Sequence, residues 1–343
     1  MIIVESVELC NRIFHVFCAA GVPEAVAQRV AESLVEAHLT GHDSHGVLRV
    51  PWYLRAVREG QTNPRAEIRV ERASATTAIL DCDNAFGQVG ALEGMRLAVD
   101  KAKQHDIAMV TLRHCGHVGR LGEYVVWAAE QGMLGLMLCN GPSKGGIVAP
   151  FGGNGRALGT NPVAWAVPGP PDGRPVFLDY ATSAVAHGKL QVAIDKGQPI
   201  PEGWLLDKHG RPTTDPRDVY DGGVMLPFFG HKGYAMSVFV ELLAGGLSGA
   251  GPALLPGVGR EQGTMLVVVR IEAFQGLDEY RRMVGEFAQQ IKATPRAPGV
   301  DEILLPGEPE WRSKAQRERE GIPLPEKTWA DLTEAAASVQ VAW

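Results

Sequence analysis

The sequence predicts an α/β protein with a mixed, largely buried sheet, and three observations carry that expectation. From about residue 67, short apolar runs alternate with stretches of helical periodicity. Some of the runs, such as 134–138 and 265–271 apart from Arg270, are apolar throughout, the pattern of strands covered on both faces. The 41 glycines cluster in short loops between the runs, which favours tight turns close to a ligand. The chain's 343 residues suffice for one large domain or two ordinary ones. A net charge of −6 offers no basic field for nucleic acid, and no apolar run reaches the length of a membrane span. The first nine residues carry Glu5 and Glu8 and no Lys or Arg, unlike a secretion signal. Cys10, Cys18, Cys82, Cys115 and Cys139 are scattered and odd in number, with no Cys-x-x-Cys pair. They read as reduced thiols in a cytoplasmic protein.

In chain order, residues 6–20 form a helix, with Ser6 as N-cap and Gly21 as stop. Pro23 opens a second helix, whose apolar stripe is Val26, Val30 and Leu34 and which runs out near Thr40-Gly41. Pro51 limits continuation, so Tyr53 belongs to a new element. The loop 60–66 is a candidate boundary. Beyond it come strands at 77–81, 107–112, 134–138, 163–167, 176–178 and 265–271. Helices fall at 92–104, 124–131, 184–194, 233–247 and 278–292. A hairpin over 203–213 turns at His209-Gly210, and the tail from about Trp311 returns to helices, with Thr328 as N-cap of the last.

The stretch His42-Asp-Ser-His-Gly-Val-Leu-Arg-Val-Pro-Trp-Tyr53 packs two imidazoles, a hydroxyl, a guanidinium and a phenol into a short segment. An imidazole exchanges a proton near neutral pH, and a guanidinium grips a carboxylate through paired hydrogen bonds. The plain alternative is a capped helix end with surface charge. A second cluster, Arg113 to Tyr124, follows a strand and precedes a helix, the place where α/β sheets hold ligands. Its glycines free the backbone to approach an anion; the alternative is a tight turn with a capping histidine. The glycine- and asparagine-rich stretch 149–162 could form an anion nest or simply a well-turned loop. Asp179 to Ser183 ends a strand, and Asp179 could orient a histidine or cap a helix. His231-Lys232-Gly233-Tyr234 opens the apolar helix, where phosphate or plain surface capping would be at home.

The His42/His45 and His114/His117 pairs raise a zinc reading, and His38 shares a helical spacing with His42. No acidic residue or cysteine stands at a familiar ligand spacing, so no metal is expected. No Gly-x-Gly-x-x-Gly follows a strand and opens a helix, and no P-loop or Gly-x-Ser-x-Gly elbow occurs. Gly257-Val-Gly-Arg-Glu-Gln-Gly263 has the wrong last spacing and precedes a strand.

Taken together, several motifs in one order resemble the type-2 malate/L-lactate dehydrogenase family of non-Rossmann NAD(P)-dependent oxidoreductases, over nearly the whole chain. They are Gly41-His-Asp-Ser-His-Gly46, Ala85-Phe-Gly-Gln88, His117-Val-Gly-Arg-Leu-Gly-Glu-Tyr124, Gly159-Thr-Asn-Pro162, Leu178-Asp-Tyr-Ala-Thr-Ser183, His231-Lys-Gly-Tyr234 and Leu304-Leu-Pro-Gly-Glu308. Within the family, His-x-Gly-Arg-x-Gly and Arg317-Glu-Arg-Glu-Gly-Ile-Pro-Leu324 are most similar to hydroxycarboxylate dehydrogenase B. The resemblance implies a non-Rossmann α/β core over 67–294, a helical region in which 1–66 packs with 295–343, and a homodimer. It implies hydride transfer between a nicotinamide, NAD(H) or NADP(H), and a 2-oxo acid. It implies a proton donor at His45 or at His117, and cofactor contacts at His45, Gly119, Arg120, Leu121, Leu178, Asp179, Tyr180, Ala181, His231, Lys232, Gly307 and Glu308. The segment 249–263 is shorter than in many members, which leaves NAD versus NADP open.

The resulting expectation is a 2-hydroxyacid dehydrogenase or 2-oxo acid reductase. His45 supplies the proton, Arg49 holds the carboxylate with Tyr53 nearby, Ser44 and His117 flank the keto oxygen, and Asp179 holds the polar network. Three rivals stand beside it: a reductase of carboxylated cyclic imines, a non-catalytic nucleotide-binding protein, and a zinc-dependent lyase or hydrolase.

Overall fold

A computed structural model describes residues 1–141, 145–171, 173–195, 197–258 and 262–343. The centre of the 257–263 stretch, residues 259–261, lies outside the described residues. The chain opens with a short strand, β1 (Ile2–Val4), then α1 (Ser6–Ala19) and α2 (Glu24–Leu39). Leu9, Ile13, Val16 and Phe17 of α1 are buried against Ala27, Val30, Ala31 and Leu34 of α2, the stripe spacing of two amphipathic helices. Ser6 is the first helical residue rather than the cap. Glu5 takes the cap position, and no side chain caps that end. Two single turns, 43–45 and 47–49, lead into α3 (Val50–Arg58), with Pro51 in its first turn.

The core follows: β2 (Arg69–Ala73), β3 (Thr77–Ala85), α4 (Gly87–His105), β4 (Ile107–Cys115), α5 (Gly122–Glu130), β5 (Met133–Cys139), β6 (Val163–Val167) and β7 (Val176–Tyr180). Then come α6 (His187–Asp195), the short strands β8 (Leu205–Leu206), β9 (Pro212–Thr213) and β10 (Val224–Met225), α7 (His231–Val240), β11 (Thr264–Arg270) and α8 (Leu277–Ala293). Among the described residues the main sheet has seven strands, in the order β2-β3-β4-β11-β5-β6-β7. Only β3 and β4 pair in parallel within it; β11 runs antiparallel between β4 and β5. The sheet is therefore mixed, and α4 and α5 cover it through Ala91, Met95, Ala98, Val125 and Ala128. β2 was not visible in the sequence because all five of its residues are exposed, so no alternation marks it. Its pairing with β3, Arg69 opposite Asp81, makes it a strand.

The chain ends on α9 (Glu308–Glu320), β12 (Ile322–Leu324) and α10 (Glu326–Ser338). Thr328 lies inside α10, and Pro325 holds the cap position. β12 pairs antiparallel with β1, Ile2 opposite Leu324. Ile322, Leu324 and Leu332 thereby join the buried cluster of α1, α2 and α3. The apolar stretch expected as one helix over 233–247 begins at His231 and passes at Glu241 into a π-helical segment, Glu241–Gly246. The wider turn coincides with a buried carboxylate. Glu241 accepts from Asn140 Nδ2 (3.0 Å), Asn161 Nδ2 (2.9 Å) and the backbone N–H groups of Gly159 (3.2 Å) and Ala253 (3.0 Å).

Candidate active site

The 42–49 loop, the carboxyl ends of β4 and β7, and the start of α6 converge on one cavity of about 1010 Å³. Its wall holds Ser44, His45, Arg49, His117, Gly119, Arg120, Leu121, Asp179, Tyr180 and Ala181. Thus most of the candidate residues from three distant stretches meet.

The two histidines lie ring to ring, centroids 5.8 Å apart and nearly parallel at 10°. His45 Nδ1 lies 3.1 Å from Ser44 Oγ. Burial, then the positive charges of Arg49 and its neighbours, lowers the His45 pKa to about 3. Burial followed by Arg49 and His45 also drives His117 well below the usual histidine range. Tyr53 lies behind His117, outside the cavity wall. Gln88 Nε2 donates to Tyr53 Oη (2.7 Å), and Tyr53 Oη lies 2.7 Å from His117 Nδ1. With the phenolic O–H as the donor of that pair, the imidazole proton of His117 sits on Nε2. Burial pushes the Tyr53 pKa to about 12, which keeps it a donor at neutral pH.

Arg49 Nε donates to Ser44 O (2.8 Å), and its guanidinium lies over the Trp52 ring, 5.6 Å from the centroid. Burial lowers its pKa, and among the described residues no carboxylate pairs with it. Arg120 is 4% exposed, with its guanidinium over Phe177. Its Nε and Nη1 are buried and have no hydrogen-bond partner among the described residues. A buried cation with orphaned donors on a cavity wall suits an anionic ligand. Asp179 Oδ2 accepts from Gly122 N–H (2.7 Å), so this carboxylate caps the start of α5; its described partner is not a histidine.

Two close approaches fix the loops. A Cβ on Gly87 would lie 2.3 Å from the backbone of Gly116 and His117, so the start of α4 abuts the turn bearing His117. A Cβ on Gly46 would lie 1.7 Å from His38 Nδ1, and in that space His38 Nδ1 accepts from Val47 N–H (3.1 Å). His38 is buried, and burial lowers its pKa to about 4. One face of α9 holds the same loop. Glu310 lies 3.5 Å from His42, Ser313 donates to Leu39 O (2.9 Å), Lys314 pairs with Glu36 (2.7 Å), and Arg317 reaches His38 O and Asp43 (2.5 Å). Glu310 carries no motif signal, and Gln88, in Ala85-Phe-Gly-Gln88, and Gln262, whose Oε1 accepts from Val118 N–H at 3.0 Å, stood in quoted stretches without an assigned role. The spacing of His38 to His42 pointed only towards metal.

Other candidates lie apart from the cavity wall. His231 and Lys232 are exposed at the start of α7, with His231 edge-on to Phe151. Leu178 packs beside the cluster of β5, β6 and the α7 segment. Gly307, at φ 92°, seats the start of α9 on β7, where a Cβ would lie 2.6 Å from Phe177. Glu308 accepts from Leu305 N–H (2.9 Å) and pairs with Lys292. The His-x-x-His pairs diverge: His114 faces Asp81 (2.9 Å), His42 faces Glu310, and His117 faces Tyr53.

A mixed sheet without a Rossmann turn, with a buried guanidinium and one imidazole at its strand ends and a second imidazole stacked on the first from the 42–49 loop, has the form of a non-Rossmann dehydrogenase. The chain belongs to the malate/L-lactate dehydrogenase family, whose model matches residues 4–333. It is 39% identical to hydroxycarboxylate dehydrogenase B of Escherichia coli, over 94% of this chain and 91% of the relative. The solved malate dehydrogenase of Entamoeba histolytica superposes with a TM-score of 0.93 at 28% identity, covering 100% of this chain and 99% of that one. A solved delta1-piperideine-2-carboxylate reductase from Pseudomonas syringae gives 0.85 at 31% identity, covering 98% and 100%. The protein is accordingly an oxidoreductase that moves a hydride between a nicotinamide cofactor and C2 of 2-hydroxy or 2-oxo acids.

Proposed function

We propose that the chain reduces a 2-oxo acid, or oxidises the matching 2-hydroxy acid, with His45 and His117 handling the proton and Arg49 holding the substrate carboxylate. The observation that carries this reading is Arg49, paired with no carboxylate among the described residues, sharing a cavity wall with the stacked imidazoles. When bound, the nicotinamide supplies or accepts the hydride at C2. Arg49 donates to the carboxylate, and Ser44 and His117 Nε2–H point their donors at the developing alkoxide. Burial, and after it Arg49, depresses both rings, so a carboxylate beside that guanidinium offsets the share due to Arg49. His45 then delivers the proton, and Asp179 keeps the start of α5 in place.

The cavity is at the upper end of the usual range for ligand pockets, roughly 300–1,000 Å³, so substrate and dinucleotide fit together. We assign the dinucleotide to His45, to Gly119, Arg120 and Leu121, and to Leu178, Asp179, Tyr180 and Ala181. His231, Lys232, Gly307 and Glu308, which lie apart from the cavity wall, are assigned to it through the family resemblance. The unpaired donors of Arg120 and the helix start at Lys232 support anion binding there. NAD(H) is the favoured cofactor over NADP(H), through the likeness to hydroxycarboxylate dehydrogenase B. Oxidation of NADH and NADPH with pyruvate-type acids, side by side with a carboxylated cyclic imine, tests the reading. Faster turnover of the imine would install the second reading, which the piperideine-carboxylate reductase likeness favours. Cofactor binding without any turnover would leave a nucleotide-binding protein.

The same reading includes a homodimer, a domain division into 1–66 with 295–343 against 67–294, and a cytoplasmic enzyme. Exposed Met236, Phe239, Leu242 and Leu247 along α7 and its π-helical extension support self-association. Five free cysteines suit a reducing compartment. No helix of the described residues is long and apolar enough to cross a membrane. Light scattering on the purified chain, with Phe239→Asp as the disrupting variant, checks the dimer.

A further inference from the structure

One side of the cavity plays no part in the proton or cofactor chemistry described above. It is the start of α6, which rests directly on the catalytic loop. A Cβ on Gly188 would lie 2.6 Å from Ser44 Cβ and 3.6 Å from Arg49 Nη2. The missing side chain lets α6 approach this closely, and it places the flanking residues His187 and Lys189 on the cavity wall beside Arg49. The apolar side chains Ile200 and Trp204 line the same wall.

His187 is braced from behind. Tyr220 Oη lies 3.2 Å from His187 Nε2, and the two rings meet edge to face with centroids 5.7 Å apart. Tyr220 also donates to Gln191 Oε1, one helical turn along α6 (3.2 Å). Tyr220 is itself held by Arg156, whose guanidinium donates to Val219 O and Gly223 O (3.0 Å) on either side of it. Arg156 thus spends its hydrogen bonds on carbonyls, which leave its positive charge uncancelled. Arg49 and Arg156 both bear on His187, and with burial they lower its proton affinity. The cavity wall also carries the carboxylates of Asp43, Asp179 and Glu310, but the charges that bear on His187 itself are those of Arg49 and Arg156. An imidazole in such a field is half-buried and ready to be charged by an anion brought next to it.

We propose that His187, braced by Tyr220 and the Arg156-held turn, is a specificity-determining residue that reads a second acidic group on the side chain of the 2-oxo acid. This rests on the dehydrogenase reading above and deepens it. Arg49 takes the carboxylate next to the reacting carbon. His187, with Lys189 beside it, takes the acidic group at the far end. An alkyl substituent would desolvate the imidazole and give it no partner, so the same wall discriminates against simple alkyl acids.

The test compares kcat/KM for oxaloacetate and for pyruvate at saturating reduced cofactor, in the wild type, His187→Leu, His187→Gln and Tyr220→Phe. The wild type is expected to favour the diacid. Loss of a hydrogen bond to a charged group should lower the diacid-to-pyruvate ratio roughly 10–100-fold in His187→Leu. His187→Gln should recover part of that ratio, and Tyr220→Phe should lower it less than His187→Leu does. A ratio unchanged in His187→Leu, or a wild type that prefers pyruvate, overturns the assignment while the dehydrogenase reading stands. A wild type that consumes neither acid removes the dehydrogenase reading, and this inference with it. A variant that merely folds poorly would lower both substrates together and leave the ratio where it was, which counts against the proposal.

Discussion

His45 and His117 face each other across one cavity, yet the molecule holds them by opposite means. His117 stands at the end of a sheet strand, and a short relay, Gln88 to Tyr53 to Nδ1, sets its tautomer. His45 stands on a loop with no strand beneath it. Its ring has only Ser44 Oγ as a described hydrogen-bond neighbour, while the loop is pinned from outside by His38 and α9. One imidazole is thus fixed by hydrogen bonds to its ring, the other through the backbone that carries it. A group whose ring stays free to change protonation suits proton delivery, whereas a group locked in one tautomer suits donation of a steady hydrogen bond.

The sharpest way to break that comparison is to remove each ring in turn. His45→Ala should lower kcat roughly 10²–10⁴-fold while cofactor binding, followed by fluorescence quenching, persists. Retained turnover in His45→Ala together with loss in His117→Ala would exchange the two roles. Next in size, Arg49→Lys keeps the charge but loses the planar fork, and should cost about 2–5 kcal/mol, expressed mainly in KM for the acid. Wild-type behaviour in that variant would exclude paired donation to the carboxylate.

His38 offers a test through stability. Its folded pKa is about 4, below the 6.5 of the free side chain. The unfolded chain therefore binds more protons between those values. The contribution is complete above about pH 6.5 and is lost as pH falls towards 4, on the order of 3 kcal/mol. Urea unfolding of His38→Asn should show a shallower acid decline than the wild type, since the amide oxygen still accepts from Val47 N–H and does not titrate. An identical decline in both proteins would remove His38 as the cause. The smallest effect is expected from Tyr53→Phe, which takes the donor from His117 Nδ1. A roughly fivefold fall in kcat is expected, as for loss of one neutral hydrogen bond. In the wild type, kcat/KM for reduction should fall as pH rises through an apparent pKa below 6.5, because burial and Arg49 depress both free-enzyme imidazoles. Tyr53→Phe should move that value, and an unmoved profile would disconnect the relay from the titrating group.

Much of this architecture was legible in the sequence, for reasons that also mark where legibility stops. Strands such as β5 and β11 announced themselves because both faces are largely buried and the residues between Met265 and Val269, like those of β5, run apolar. Ser44, His45, Arg49 and His117 were visible because polar groups crowd at the ends of helices and strands. β2 was silent, being exposed on both faces, and β1 and β12 are too short to show a period. His38 was invisible as a support because its partner is a backbone N–H and the space it fills is the absent side chain of Gly46. Such contacts leave no periodicity. Asp179 carried two readings at the sequence level, and its bond to Gly122 N–H shows it as a cap, on α5 rather than on the helix that follows it.

The pairing of β1 with β12, and the grip of α9 on the 36–43 segment, bear on the order in which the enzyme comes into being. The residues that carry His45 leave the ribosome well before the side chains that latch them, from Glu310 to Arg317. A nascent chain halted before α9 can assemble much of its sheet and still lack a fixed catalytic loop. Activity should therefore appear only once α9 has emerged, and a chain cut short at residue 307 should regain turnover when α9 to α10 is supplied as a separate fragment.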